Sequence, residues 1–189
     1  NLAIPDICPC CGARTEIKYT DNSKFLTCTN ANCSAKTIAK FTHFVSRNCM
    51  NIDGLSEKTL EALISHDFLH TYRDIYHLSE HKQALTRLEG MGEKSVSTLL
   101  KSIENSRDVK LENFITALGI DGIGKSASKT ISDHFNGDYE EFINAYFYWH
   151  FDWATLDDFG RVMADSLNTY LHDNLEWINE LASEMRFIK

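Results

Sequence analysis

Four cysteines near the start of the chain stand in two short pairs, Cys8-Pro-Cys-Cys11 and Cys28-Thr-Asn-Ala-Asn-Cys33, with 16 residues between them. Close pairs of thiolates carried on tight turns are the donor pattern of tetrahedral zinc, because a short spacer lets both sulfurs face one ion. Gly12, after the first pair, gives that turn its freedom. A closed four-thiolate site has no open coordination position, so one structural zinc is expected and hydrolytic chemistry is not. Cys10 could replace Cys8 or Cys11, although only the Cys8 and Cys11 pair has the usual spacing. A disulfide framework is the competing reading, but all six cysteines lie in the first 49 residues, whereas a secreted scaffold would spread its staples. Cys49 reads as a small buried hydrophobe on a helix.

A second chemistry resides in a turn that recurs four times: Ile52-Asp-Gly-Leu-Ser56, Leu88-Glu-Gly-Met-Gly92, Ile120-Asp-Gly-Ile-Gly124 and Leu156-Asp-Asp-Phe-Gly160, at offsets of 36, 32 and 36 residues. Both glycines of such a turn can take conformations that side chains resist, and the apolar residue between them plugs into a core. The amides of the following helix start then face outward at the positive end of its dipole, which favours phosphate. Lys58, Lys94, Lys125 and Arg161 stand one or two residues beyond the turns. A lone Gly-X-Gly turn joining two helices would carry no such reading; four in register, each with a cation, point to backbone phosphates held without base readout, across the minor groove.

These residues need elements to position them. Glu16-Ile17-Lys18-Tyr19 and Lys24-Phe25-Leu26-Thr27 flank the polar turn Asp21-Asn22-Ser23, which predicts a hairpin carrying the second cysteine pair at its end. Ile38, Phe41, Phe44 and Val45 recur at helical spacing, predicting a helix from about Ala35 to Asn48. Leu60, Leu63 and Ile64, then Val96, Leu99, Leu100 and Ile103, then Ile131 and Phe135, then Leu167, Tyr170 and Leu171 place a helix after each turn. The predicted fold is mainly α: a four-cysteine zinc ribbon over 1–35, a linking helix over 36–50, and an all-α domain over 51–189 with four helix-hairpin-helix motifs near 52–68, 88–104, 120–136 and 156–172.

Composition bounds the rest. The chain has 189 residues, 24% charged and 43% hydrophobic with two prolines, as in a globular protein. It has no apolar run long enough to span a bilayer and no basic-then-apolar leader, so a soluble, cytoplasmic monomer with no membrane partner is expected. The net charge of −8 argues against a general electrostatic grip on nucleic acid, yet it is unevenly spread. Residues 1–50 hold six Lys or Arg against three acids, residues 51–129 ten against twelve, and residues 130–189 three against twelve. The first two thirds can meet a polyanion.

The order of the motifs resembles one family. Ile4-Pro5, Cys8-Pro9-x-Cys11-Gly12, Cys28-Thr29-Asn30, Cys33-Ser34-Ala35, His43-Phe44-Val45-Ser46-Arg47, Ile52-Asp53-Gly54-Leu55, Asp74-Ile75-Tyr76-x-Leu78, Gly90-Met91-Gly92-Glu93-Lys94-Ser95 and Ala117-Leu118-Gly119-Ile120 are together similar to the C-terminal half of bacterial NAD-dependent DNA ligases. The resemblance implies a segment that grips nicked double-stranded DNA through its minor groove during replication and repair. It also implies a structural zinc module, contacts with the ligase's other domains, and NAD and Mg used by domains absent from this chain. The nucleotidyl-transfer motif of that family, Lys-x-Asp-Gly, has no match, since Asn51 and Gly119 stand where its lysine would. No catalytic residue is therefore assigned and the fragment alone is expected to be inactive; the lack of an initiator Met fits an excised piece.

Two turns depart from the pattern. Ser56 replaces the second glycine of the first, where its hydroxyl can cap the next helix. Asp157-Asp158 intrudes on the fourth, and a carboxylate about 6 Å from a phosphate costs roughly 0.7 kcal/mol in water, more at lower dielectric. The expected DNA contacts are Gly54, Lys58, Gly90, Gly92, Lys94, Gly122, Gly124, Lys125 and Lys129, with the second and third hairpins dominant and the fourth serving packing. His66, His70, His77 and His81 read as surface or capping groups, and the aromatic run Ala145–Trp153 as core or interface because acids surround it. A stand-alone DNA-binding module and a zinc-stabilised interaction scaffold are the alternatives; salt-dependent retardation of nicked duplex excludes the scaffold.

Overall fold

Hydrophobic periodicity of about 3.6 dominates this chain, and the computed structural model is accordingly mainly helical. It describes residues 4–20 and 23–189; the opening residues 1–3 and positions 21–22 of the expected Asp21-Asn22-Ser23 turn lie outside the described residues. The chain divides into two compact units, 1–41 and 42–189.

In the first unit, strands β1 (Thr15–Thr20) and β2 (Ser23–Cys28) pair antiparallel in the register Thr15 to Cys28 and Ile17 to Leu26. An isolated bridge joins Ile7 to Arg14, so the first cysteine pair sits on a knuckle leading into β1 and the second pair begins at the end of β2. Helix α1 (Ser34–Val45) starts directly after Cys33, and the boundary between the units falls within it. It ends before the expected Asn48: Met50 and Ile52 return amides to the carbonyls of Phe44 and Val45, folding 46–52 into a tight reversal. Cys49 lies in this reversal, buried as expected but not helical.

The second unit holds α2 (Glu57–Ser65), α3 (Tyr72–Ile75), α4 (Lys82–Leu85), α5 (Glu93–Ser106), α6 (Leu111–Ala117), α7 (Lys125–His134), α8 (Tyr139–Phe147) and the 22-residue α9 (Arg161–Ala182), with short 3-10 turns at Leu78–His81 and Trp153–Thr155. Leu55, Met91, Ile123 and Phe159, the middle residues of the four turns, are all buried, so each turn is pinned by one apolar plug. The hairpins associate two by two. The first turn lies on α5, where Asp53 N–H donates to Ser102 Oγ (2.8 Å) and Gly54 sits against Leu99. The third lies on α9, where Ser166 Oγ donates to the Asp121 carbonyl (2.6 Å) and Gly122 faces Met163.

Helix α9 also reaches back to the first pair, where Trp177 meets Tyr72 edge-on and Arg73 bonds Glu184 beyond the helix end. A parallel pair of short strands, β3 (Asp108–Lys110) and β4 (Arg186–Ile188), joins the chain's last residues to the segment after α5, an addition to the otherwise helical unit. The aromatic run divides. Trp153 is fully buried against Phe135, Phe142 and Phe151, its indole N–H donating to Asn168 Oδ1, whereas Phe147, Tyr148 and Trp149 are exposed.

Candidate metal centre and nucleic-acid interface

The ribbon brings Cys8, Cys11, Cys28 and Cys33 together, their sulfurs all within 4.8 Å of one another. Cys11 to Cys28 is 3.4 Å and Cys8 to Cys33 is 3.9 Å, far beyond a disulfide bond but close to the S···S edge of about 3.8 Å that tetrahedral Zn–S bonds require. The amide of Asn30 donates to Cys28 Sγ, and the knuckle at Gly12 (φ +71°) closes with Gly12 N–H on the Cys8 carbonyl (2.9 Å). The amide of Ala13, followed by the Cys28 contact, draws the Cys11 thiol down to about 7, while burial pushes Cys33 up to about 12. As thiolates, four sulfurs this close would repel unless a cation lay among them, so the donor set fits a thiophilic metal. Cys10 stands apart from this quartet, with its sulfur 3.0 Å from Ser34 Oγ.

The four turns share a backbone design that differs from the expectation of two conformationally special glycines. Only the first position is left-handed: Gly54 (φ +94°), Gly90 (+79°), Gly122 (+76°) and, without a glycine, Asp158 (+61°). In the last three turns the plug residue's N–H closes the turn, from Met91 to Leu88, Ile123 to Ile120 and Phe159 to Leu156. Aspartate tolerates the left-handed region, so the fourth turn keeps the shape of the others. The second position is ordinary extended backbone in all four, with φ of −64°, −76°, −91° and −89° at Ser56, Gly92, Gly124 and Gly160.

A Cβ added at Gly92, Gly124 or Gly160 would meet nothing within 4 Å. Nothing inside the fold demands glycine there. What glycine does provide is an uncovered helix start: the N-caps of α5, α7 and α9 supply no side-chain acceptor, leaving their first-turn amides without a partner among the described residues. Ser56 instead accepts from Thr59 N–H (3.2 Å), so the first hairpin's helix is capped by its own hydroxyl. Gly122→Ala should lower stability by about 1 kcal/mol through backbone strain, whereas Gly124→Ala should leave the melting midpoint unchanged; thermal denaturation of both variants checks this.

The cations differ in the same direction. Lys58, Lys94 and Lys125 are exposed and make no ion pair among the described residues. Lys129 is occupied, 2.9 Å from Asp133 and 3.9 Å from Glu112. Arg161 is held by both oxygens of Asp152 at 3.0 and 3.2 Å, a pairing the sequence did not disclose because Asp152 belongs to the loop before the fourth turn. His66 Nδ1 lies 2.8 Å from the Ala62 carbonyl as an end cap, and His43 Nε2 lies 2.8 Å from the Thr116 carbonyl. His77 is no bare surface group, since it lies 2.8 Å from both Glu80 and Glu184.

A thiolate-cornered ribbon followed by tandem helix-hairpin-helix units defines the class, and residues 47–105 match the family described as SAM-like helix-hairpin-helix tandem. The protein named DNA ligase of Lachnoclostridium phytofermentans is 39% identical over 100% of this chain and 29% of its own length. Those of Oceanobacillus iheyensis (40% identical, 97% of this chain, 26% of the relative) and Bacillus subtilis (37%, 96% and 26%) agree. The chain is thus similar to proteins named DNA ligase and spans little more than a quarter of the length of these relatives.

Proposed function

We propose that this chain is the DNA-gripping segment of an NAD-dependent DNA ligase acting on nicked duplex in replication and repair. The hairpins take backbone phosphates across the minor groove; the ribbon over 1–35, stabilised by one zinc, and the helix after it precede them; and adenylation, with its NAD and Mg, belongs to other domains. The observation that carries this reading is the combination, at Gly92 and Gly124, of a bare second position with an unpaired lysine beside it; Gly160 is as bare, but its neighbour Arg161 is paired with Asp152. Glycine there is required by no contact among the described residues, and it leaves the helix's first amides uncapped beside an exposed, unpaired lysine, as a ligand approaching the backbone needs. The first hairpin contributes Gly54 and Lys58 with its helix start already capped. Lys129 contributes only if it leaves Asp133, and the fourth hairpin packs, its arginine neutralised by Asp152.

Affinity for nicked duplex measured against salt tests the assignment. Lys125→Ala should flatten the log–log slope by about one unit, while Arg161→Ala leaves it in place. The reverse pattern would assign the grip to the fourth hairpin. Gly124→Ala, stable as a fold, should weaken binding about tenfold, roughly 1.4 kcal/mol.

A further inference from the structure

Beside the second hairpin a groove of about 590 Å³ runs between α4 and α5, lined by Lys82, Gln83, Thr86, Glu93, Lys94 and Ser97. Lys94, in the first turn of α5, lines it beside the Gly92 turn, and Lys82 lines the same space from the helix that precedes the turn. Two ammonium groups and one carboxylate line this groove, and none of the three is engaged in an ion pair among the described residues. Lys129 and Arg186, by contrast, are held by Asp133 and Asp108, so Lys82 and Lys94 are left available to a ligand in a way that those two are not. Gln83, Thr86 and Ser97 add neutral donors of the kind that bind phosphate oxygens.

From this we infer a second phosphate subsite, in which Lys82 and Lys94 hold the phosphodiester next along the strand whose neighbouring phosphate sits at the Gly92 turn. The inference rests on the DNA-binding reading above and extends it to a residue outside the repeated motif. Lys94 is shared between turn and groove, which makes the two subsites continuous. Glu93 opposes the ligand from within the groove and limits its affinity.

The test compares nicked duplex binding across a salt series for Lys82→Ala, Lys82→Gln, Glu93→Gln, Lys110→Ala and Lys125→Ala. Lys82→Ala and Lys82→Gln should each weaken binding several-fold near about 100 mM salt and reduce the slope by about one. Glu93→Gln should strengthen binding. Lys110 is an exposed lysine outside the groove and the turns, so an equal loss from Lys110→Ala would mean bulk charge and overturn the subsite. Unchanged binding by both Lys82 variants overturns it as well. If Lys125→Ala weakens binding while the Lys82 variants do not, only the groove falls; if Lys125→Ala also has no effect, the hairpin reading itself falls.

Discussion

Replacing Cys33 with serine, or withdrawing metal with a strong chelator, is expected to unfold the ribbon while the 42–189 unit keeps its own melting transition. The ribbon has little else to hold it. Apart from Phe41 at the boundary, Cys8 and Cys33 are its buried apolar side chains among the described residues, while Ile4, Ile7, Tyr19 and Phe25 stand exposed. Two six-residue strands cannot be stable in isolation, and an apparent metal-binding energy of about 10–16 kcal/mol is the one contribution large enough to order them. The amide resonances of β1 and β2 give the readout. Dispersed signals that survive chelation unchanged would show that the four cysteines do not organise this unit.

The second large effect is expected at Glu184. Its carboxylate receives Arg73 Nε at 3.0 Å, Arg107 at 2.8 Å and His77 at 2.8 Å, with Arg107 also stacked 5.0 Å from the Tyr76 ring centre. Burial alone would raise its pKa, but the bonds from Arg107, His77 and Arg73 more than reverse this and bring it down to about 2. With a side chain only 13% exposed, Glu184→Ala leaves two guanidinium groups short of their partner and should cost about 3 kcal/mol, lowering the melting midpoint by roughly 6–12 °C.

The pH dependence follows from the same cluster. Glu184 contributes fully above its ordinary value of 4.5, and that contribution is lost as the pH falls towards 2. His77 is shifted the other way, raised by Glu80 and then Glu184, so its contribution is complete below 6.5 and disappears as the pH climbs through the raised value. Urea midpoints should therefore be highest between 4.5 and 6.5, and His77→Gln should flatten the alkaline limb. An alkaline decline that persists in that variant would place its origin elsewhere.

What could be read from the chain beforehand was what is local. The cysteine quartet is legible because each pair is made by a single turn, and the hairpins because glycine, plug and cation recur within five to seven residues. The plugs Leu55, Met91, Ile123 and Phe159 all lie in the core. The unforeseen features join distant segments: Glu184 meets residues 77 to 111 positions away, β4 meets β3, and Ser102 and Ser166 fasten turns from other repeats. Periodicity carries no information about such partners. The second glycine differs from expectation for another reason: its φ is ordinary, and its use lies in the space it leaves open.

Helix α9 runs for 22 residues, about 33 Å, from the fourth turn to the neighbourhood of the first hairpin pair. It acts as a strut, fixing the distance between the two hairpin pairs. On a duplex, engagement of one pair would present the other at a high effective concentration, and losses at separate hairpins would multiply rather than average. If the hairpins take phosphates as proposed, a frame of this kind would let individually modest contacts behave as one multivalent clamp, with its selectivity set by the spacing and curvature of the backbone.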